Sequence, residues 1–120
     1  MKTAISLLVV VLLAGCAAPK APPGLIADVT AWRDDAVQKQ AILGATITPQ
    51  GDAITVTVDG NVWDMLPPQS KREVTTAFLL AFGRMRVKNG MTDDCMVFVH
   101  DRTGTTLASQ YTGGGVKIKK

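Results

Sequence analysis

The sequence is poor in the residues from which catalytic and metal sites are usually built. Its 120 residues include a single histidine, His100, and two cysteines, Cys16 and Cys95. With so few ligands, and no pair of histidines at helical spacing, we predict that the protein binds no metal ion and needs no cofactor. Aromatic residues make up only 5% of the chain, and the formal net charge is +3. A charge this small does not indicate a nucleic-acid partner.

One combination of residues contains a thiol, an imidazole and a carboxylate, but its spacing argues against catalysis. Cys95 and His100 lie on a predicted strand, where side chains five positions apart leave opposite faces of the sheet. At about 3.3 Å per residue they are roughly 16 Å apart, beyond the hydrogen-bond reach that a nucleophile and its base require. Asp101, the carboxylate of this trio, directly follows His100. A phosphate-binding loop is not indicated either, because the glycines at 113–115 lack its Gly-Lys-Ser/Thr ending. We therefore predict that the protein is not an enzyme.

The N-terminus, in contrast, has the pattern of an export signal. Lys2 precedes an apolar run over residues 4–13, which is too short for a membrane-spanning helix of about 20 residues. The tetrapeptide that follows at 13–16, Leu-Ala-Gly-Cys, resembles a bacterial lipobox at all four positions. The resemblance implies cleavage before Cys16 and acylation of its thiol and, often, of its new amino group. The alternative is an ordinary signal peptide in which the cysteine is accidental.

Lipidation of Cys16 would also determine where the protein resides. Two or three acyl chains hold a protein stably at a membrane, whereas one chain holds it only marginally. Residue 17 is alanine rather than aspartate, which in Gram-negative lipoproteins implies the outer membrane, with the domain facing the periplasm. Cys95 then has no partner in its own chain. We predict that it is buried, the alternative being an intermolecular disulfide.

The rest of the chain predicts a single small domain of the α+β class. We divide the sequence into a signal peptide (1–15), a lipidated cysteine with a Pro/Ala-rich tether (16–24) and a globular domain (25–120). We expect two layers, an antiparallel sheet of four to five strands with two helices packed on one face. Apolar periodicity and turn residues predict helices over 25–43 and 68–88, and strands over 45–48, 53–58, 95–100 and 105–111, with an optional edge strand at 116–118.

The longer predicted helix carries more apolar residues than one sheet face can cover. A stripe at helical spacing should join the sheet in the core, which we predict to include Val74, Phe78, Phe82, Ile54, Val56 and Val97. Leu79 and Leu80 lie beside that stripe, and we predict that they form a docking patch for an envelope protein. The alternative is that the first helix and the C-terminal tail simply cover them.

These features lead to two functional hypotheses for a protein attached to a membrane. The first is a binding or assembly module that uses the apolar patch. The second is a module that binds anionic lipid headgroups through basic residues at the end of the second helix and in the tail. The basic residues in question are Arg84, Arg86, Lys88, Lys117, Lys119 and Lys120.

Overall fold

The computed structural model describes residues 20–119. Along them, helices and hairpins alternate in the predicted order. The elements are α1 (Pro23–Gln38), β1 (Gly44–Ile47), β2 (Ala53–Thr57), α2 (Gly60–Asp64), α3 (Pro68–Lys88), β3 (Met96–His100), β4 (Thr106–Tyr111) and β5 (Lys117–Ile118).

In this part of the chain the strands form one five-stranded sheet in the order β1-β2-β3-β4-β5. The hairpin pairs are antiparallel, but β2 and β3 run parallel. The α+β class and the strand number are confirmed, while the sheet is mixed rather than wholly antiparallel. The reason is α3, whose 21 residues extend for about 31 Å. The helix carries the chain back along β2, so β3 starts from the same end of the sheet as β2.

The two long helices cover the same face of the sheet, as predicted. α1 packs on β1 and α3, and α3 packs on β3 and β4. Ile54, Val56, Val97 and Val99 point toward the helices and are at most 1% exposed. The residues between them in β2 and β3 are only half-buried, on the open face. The core therefore lies between the helix layer and one face of the sheet.

The domain begins earlier than the predicted boundary at residue 25. Pro23 opens α1, where a missing N–H costs no hydrogen bond. Ala21, just before it, is already buried. The segment between Cys16 and the folded domain is therefore shorter than the predicted tether at 16–24.

The helix α1 also ends earlier than predicted, at Gln38 rather than near residue 43. Gln40 has a φ of 62°, and the Ala41 N–H donates to the Ala36 carbonyl at 2.9 Å. This pair of features is the Schellman pattern that terminates helices. Gly44 consequently opens β1 and does not cap the helix.

The helix α3 has the predicted bounds, but its buried face is rotated by about one residue. The side toward the sheet carries the buried residues Thr75, Leu79, Phe82 and Arg86. Val74 and Phe78, predicted for the core, are only half-buried. The Phe78 ring packs edge-on against Trp32 of α1, with centroids 6.0 Å apart. The rotation arises because one flank of α3 faces α1 and another faces the sheet.

The short helix α2 has no counterpart among the predicted elements. The Asp59 carboxylate caps it by accepting hydrogen bonds from the Asn61 and Val62 N–H groups. Trp63 is buried beneath it, whereas Val62 is 59% exposed. Because α2 directly follows β2, it lies at the end of the sheet where β2 and β3 finish.

Candidate functional site

The opposite end of the sheet gathers the start of the described chain and several loops. β2 and β3 are parallel and α3 returns between them, so the turn at 48–52, the last turn of α3 and the loop at 91–95 meet there. β4 ends there as well, being antiparallel to β3. The Ala21 N–H joins this group by donating to the Pro49 carbonyl at 2.8 Å. We call this region the tether end, because from here the chain leads back to Cys16.

Gly51 shows how closely these segments pack at the tether end. Its φ of 77° lies in the left-handed region that favours glycine. A Cβ on Gly51 would stand 3.0 Å from the Ala21 Cβ and 3.4 Å from the Met91 Cε. Ala21, at the start of the folded domain, is therefore separated from Met91 by about the width of one residue.

Met91 forms one wall of an apolar groove of about 620 Å³ that opens at the tether end. The groove runs between the C-terminal half of α3 and the loops at 91–95 and 112–114. Leu80 and Val87 border it and are 52% and 63% exposed. They lie about two helical turns apart on α3, and large apolar side chains that exposed are unfavourable in water. This groove is the strongest candidate for a binding site among the described residues.

A glycine in the middle of α3 keeps the groove open. Gly83 lines it, and a Cβ at that position would meet no atom within 4 Å. Glycine inside a helix costs about 0.5–1 kcal/mol relative to alanine, so its presence within the 68–88 helix was a sequence signal for this site. The predicted site residues included neither Gly83 nor Val87 and Met91.

Arg86 lies beneath the groove and is 1% exposed. Its Nε donates to the Gly51 carbonyl at 2.9 Å, its Nη1 to the Asp93 carbonyl at 2.7 Å and its Nη2 to the Asp93 carboxylate at 2.8 Å. The hydrogen bond from Arg86, together with its charge, holds the pKa of the Asp93 carboxyl below its ordinary value. The guanidinium also sits 5.9 Å from the Phe82 ring centroid. Arg86 thus ties three segments together and is not available to bind a headgroup, which corrects its predicted role.

The other basic residues of the predicted headgroup site do not lie together in one patch: those on α3 are separate from those at the end of the chain. Arg84 borders the groove and is exposed, and the Lys88 Nζ lies 3.5 Å from an Asp28 carboxylate oxygen. Lys117 and Lys119 lie in or just after β5, at the far edge of the sheet. Lys119 is near Asp101, at the end of β3 opposite the tether end. The hydrogen bond from the Thr103 hydroxyl is the main cause that lowers the pKa of the Asp101 carboxyl, and the Lys119 charge is a minor one. Lys120 lies outside the described residues.

The predicted docking pair is divided between the interior and the surface. Leu79 is 7% exposed and forms part of the groove floor, so the prediction that it offers a surface for docking is wrong. Leu80, on the neighbouring flank of α3, remains accessible at the groove rim. Consecutive residues on a helix are about 100° apart, which is why only one of the two faces outward.

Cys95 is buried beside the groove, as the sequence predicted. Its N–H donates to the Thr112 Oγ1 at 2.9 Å, and the same hydroxyl lies 3.6 Å from the thiol sulfur. Burial alternates along the segment so that Cys95 shares the helix-facing side with Val97, while His100 lies on the open face. The His100 Nε2 instead lies 3.1 Å from the Thr106 Oγ1. The thiol and the imidazole are therefore not positioned to react together.

The tether end also carries negative charge on its outer surface. Asp52, Asp93 and Asp94 surround a shallow depression together with Tyr111. The Tyr111 hydroxyl donates to the Asp94 carboxylate at 3.3 Å, and the Asp94 charge raises the pKa of this phenol. Across residues 20–119, no group of three or more His, Cys, Asp or Glu side chains is arranged to hold a metal ion.

Comparisons with known protein families, with curated proteins and with solved structures find no match for this chain. Cys16 and the lipobox resemblance lie outside the described residues. Within residues 20–119, no helix combines the length and the apolar character needed to cross a membrane.

Proposed function

We propose that the protein is an envelope lipoprotein, anchored through acyl chains on Cys16 in the outer membrane of its host, with its domain facing the periplasm. In this proposal the domain is a small binding module, and the groove beside α3 is its binding site. The observation that supports it best is the position of the groove, which opens at the end of the domain that leads back to Cys16.

The short connection to Cys16 keeps this groove close to the membrane. Five residue steps separate Cys16 from Ala21, and a fully extended chain spans at most about 3.6 Å per residue, or roughly 18 Å. Ala21 is buried and hydrogen-bonded to Pro49, so the chain is held against the domain from Ala21 onward and only residues 16–20 separate it from the lipid. Lipidation at Cys16 would therefore hold the tether end at the bilayer surface.

The groove has the size and chemistry of a site for an apolar ligand. Its volume of about 620 Å³ falls within the roughly 300–1,000 Å³ typical of ligand sites. Covering apolar surface such as that of Leu80 and Val87 is favourable by about 25 cal/mol per Å². The groove is accordingly suited to a ligand that is itself apolar and is presented at the membrane.

Binding to anionic headgroups has weaker support than binding to an apolar ligand. Arg86 is engaged inside the domain, and Lys117 and Lys119 lie in or just after β5, at the edge of the sheet farthest from β1. Asp52, Asp93 and Asp94 add negative charge at that end, which would repel an anionic surface. A headgroup interaction would also weaken steeply with salt, whereas an apolar contact would hardly change.

We propose binding and no catalytic step, because the thiol of Cys95 and the ring of His100 lie on different faces of the sheet.

The anchor is tested by metabolic labelling with radioactive palmitate in cells that produce the full chain or the Cys16→Ala variant. We expect label on the wild-type protein, its recovery in the membrane fraction, and loss of both in the variant. Equal labelling of the two proteins would refute the anchor.

The binding site is tested separately by placing the photo-crosslinking residue benzoylphenylalanine at position 80 or, as a control, at position 62. Leu80 and Val62 are similarly exposed, at 52% and 59%, but Val62 lies in α2 and does not border the groove. We expect a specific adduct from position 80 after irradiation of intact cells, and none from position 62. Indistinguishable cross-linking from the two positions would contradict the assignment of the groove.

A further inference from the structure

We infer that the groove beside α3 holds one of the acyl chains carried by Cys16, so that the anchor itself is the ligand of the domain. This inference rests on the proposed function, whose ligand it identifies as a fatty acyl chain. It combines three observations: the position of Ala21, the number of residues between Ala21 and Cys16, and the residues that line the groove.

The first observation is the position of Ala21 next to the groove wall. The Ala21 Cβ and the Met91 Cε both lie within 3.4 Å of the place where a Cβ on Gly51 would stand. Met91 in turn lines the groove. A chain that leaves the domain at Ala21 therefore starts beside the groove and not across the molecule from it.

The second observation is the length of the preceding segment. Five residue steps from Ala21 to Cys16 correspond to at most about 18 Å, which confines an acyl chain on Cys16 to the neighbourhood of the groove mouth. A ligand on so short a linker has a high effective concentration at its site. The lipobox resemblance implies up to three chains on Cys16, and two suffice for stable anchoring. One chain is thus free to leave the bilayer.

The third observation is the lining of the groove. Leu79 forms its floor, Leu80 and Val87 its rim, and Gly83 leaves space for a flexible chain between them. An acyl chain moving from the bilayer into this groove exchanges one apolar environment for another. The groove walls, in contrast, lose their contact with water, which is the favourable change. The same insertion would hold the domain in a defined orientation on the membrane.

The test uses the full chain in cells supplied with a palmitate analogue that carries a diazirine. After irradiation, the protein is purified, digested with trypsin and analysed by mass spectrometry. Cleavage after basic residues places most of the groove residues in peptides 73–84 and 89–102. The control residue Val62 lies in peptide 40–71, in which only cross-links that fragment ions locate to residues 58–66 are counted, because the turn at 48–52 of the same peptide lies at the tether end. We expect cross-links from the acylated Cys16 peptide to the first two peptides, several-fold more frequent than to the third.

Two matched variants test whether the groove itself is responsible. Gly83→Leu fills the groove from within α3, while Ala77→Leu adds the same side chain to an exposed position of the same helix outside the groove. We expect several-fold fewer cross-links to the groove peptides in Gly83→Leu and no change in Ala77→Leu. Val87→Gln, at an exposed position of the rim, provides a second groove variant should Gly83→Leu fail to fold, as judged by circular dichroism.

The possible failures are distinguishable from one another. Labelled Cys16 without cross-links to the groove peptides refutes this inference and leaves the proposed anchor intact. Cross-links from the groove peptides to a free fatty acid or a phospholipid show an apolar site with a different occupant, and also refute it. A protein that carries no label on Cys16 refutes the anchor and the inference together.

Discussion

Replacing Arg86 by methionine should destabilise the domain substantially, because this residue joins three segments in the interior. Two of its hydrogen bonds go to backbone carbonyls, those of Gly51 and Asp93, at 2.9 and 2.7 Å. A hydrogen bond from a charged donor contributes about 1.5–3 kcal/mol, so we expect a loss of roughly 3–5 kcal/mol in the free energy of unfolding. Methionine retains the apolar stem but leaves both carbonyls without their partner.

The third bond, to the Asp93 carboxylate, should contribute much less. The Asp93 side chain is 76% exposed, and solvent screens a pair of this kind. Asp93→Asn should therefore be clearly milder than Arg86→Met. Arg86→Lys should fall between them, since an ammonium keeps the charge but cannot reproduce the planar fork of donors.

Urea denaturation followed by the fluorescence of Trp32 and Trp63 measures these differences. Arg84→Met serves as the control, because Arg84 is exposed on the same helix and such substitutions usually stay within about 0.5 kcal/mol. A loss for Arg86→Met of about 1 kcal/mol or less would show that Arg86 does not join the segments as described.

Three other substitutions test the remaining parts of the structure. The lowered pKa of the Asp93 carboxyl means that its contribution to stability is present at neutral pH and is lost as the pH falls below about 4. In urea melts at several pH values, the free energy of unfolding of Asp93→Asn should therefore fall less toward low pH than that of the wild type. Phe82 is fully buried, so Phe82→Ala should lower the free energy of unfolding by about 3–5 kcal/mol. Phe78→Ala, at a half-buried position, should lower the free energy of unfolding by less. If urea melts show a larger loss for Phe78→Ala than for Phe82→Ala, the orientation of α3 is contradicted. Gly83→Ala should raise the midpoint of thermal unfolding, because alanine favours a helix by about 0.5–1 kcal/mol over glycine and its Cβ meets no neighbour at this position. A lowered midpoint would show that the position is crowded.

Several elements could be predicted from the sequence because their causes are local. Proline at the first helical position and Asn89-Gly90 after the last define α3 within a few residues. Alternation of β-branched residues around the turn at 48–52 likewise defines the first hairpin. Ile54, Val56, Val97 and Phe82 could be assigned to the core because each is apolar at the correct period of its own element.

The mixed sheet, in contrast, depends on how distant segments meet. Local sequence indicates that α3 lies between two hairpins, but not that β3 will add beside β2 and parallel to it. The direction follows from the return path of the helix across the sheet, which is a property of the whole chain. The same packing selects which flank of α3 is buried, and it places Leu79 and Arg86 inside although Leu80 and Arg84 remain outside.

The sequence by itself therefore determined the class of fold and most of the core, because each is encoded in composition or in short-range periodicity. The export signal and the lipobox resemblance at residues 1–16 stay a prediction from the sequence. Only the tertiary structure decided the site. The groove requires α3, the loop at 91–95 and the turn at 112–114 to converge, and its place near Ala21 requires the start of α1 to pack at the same end. No local pattern encodes such a convergence, because it depends on contacts between residues far apart in the chain.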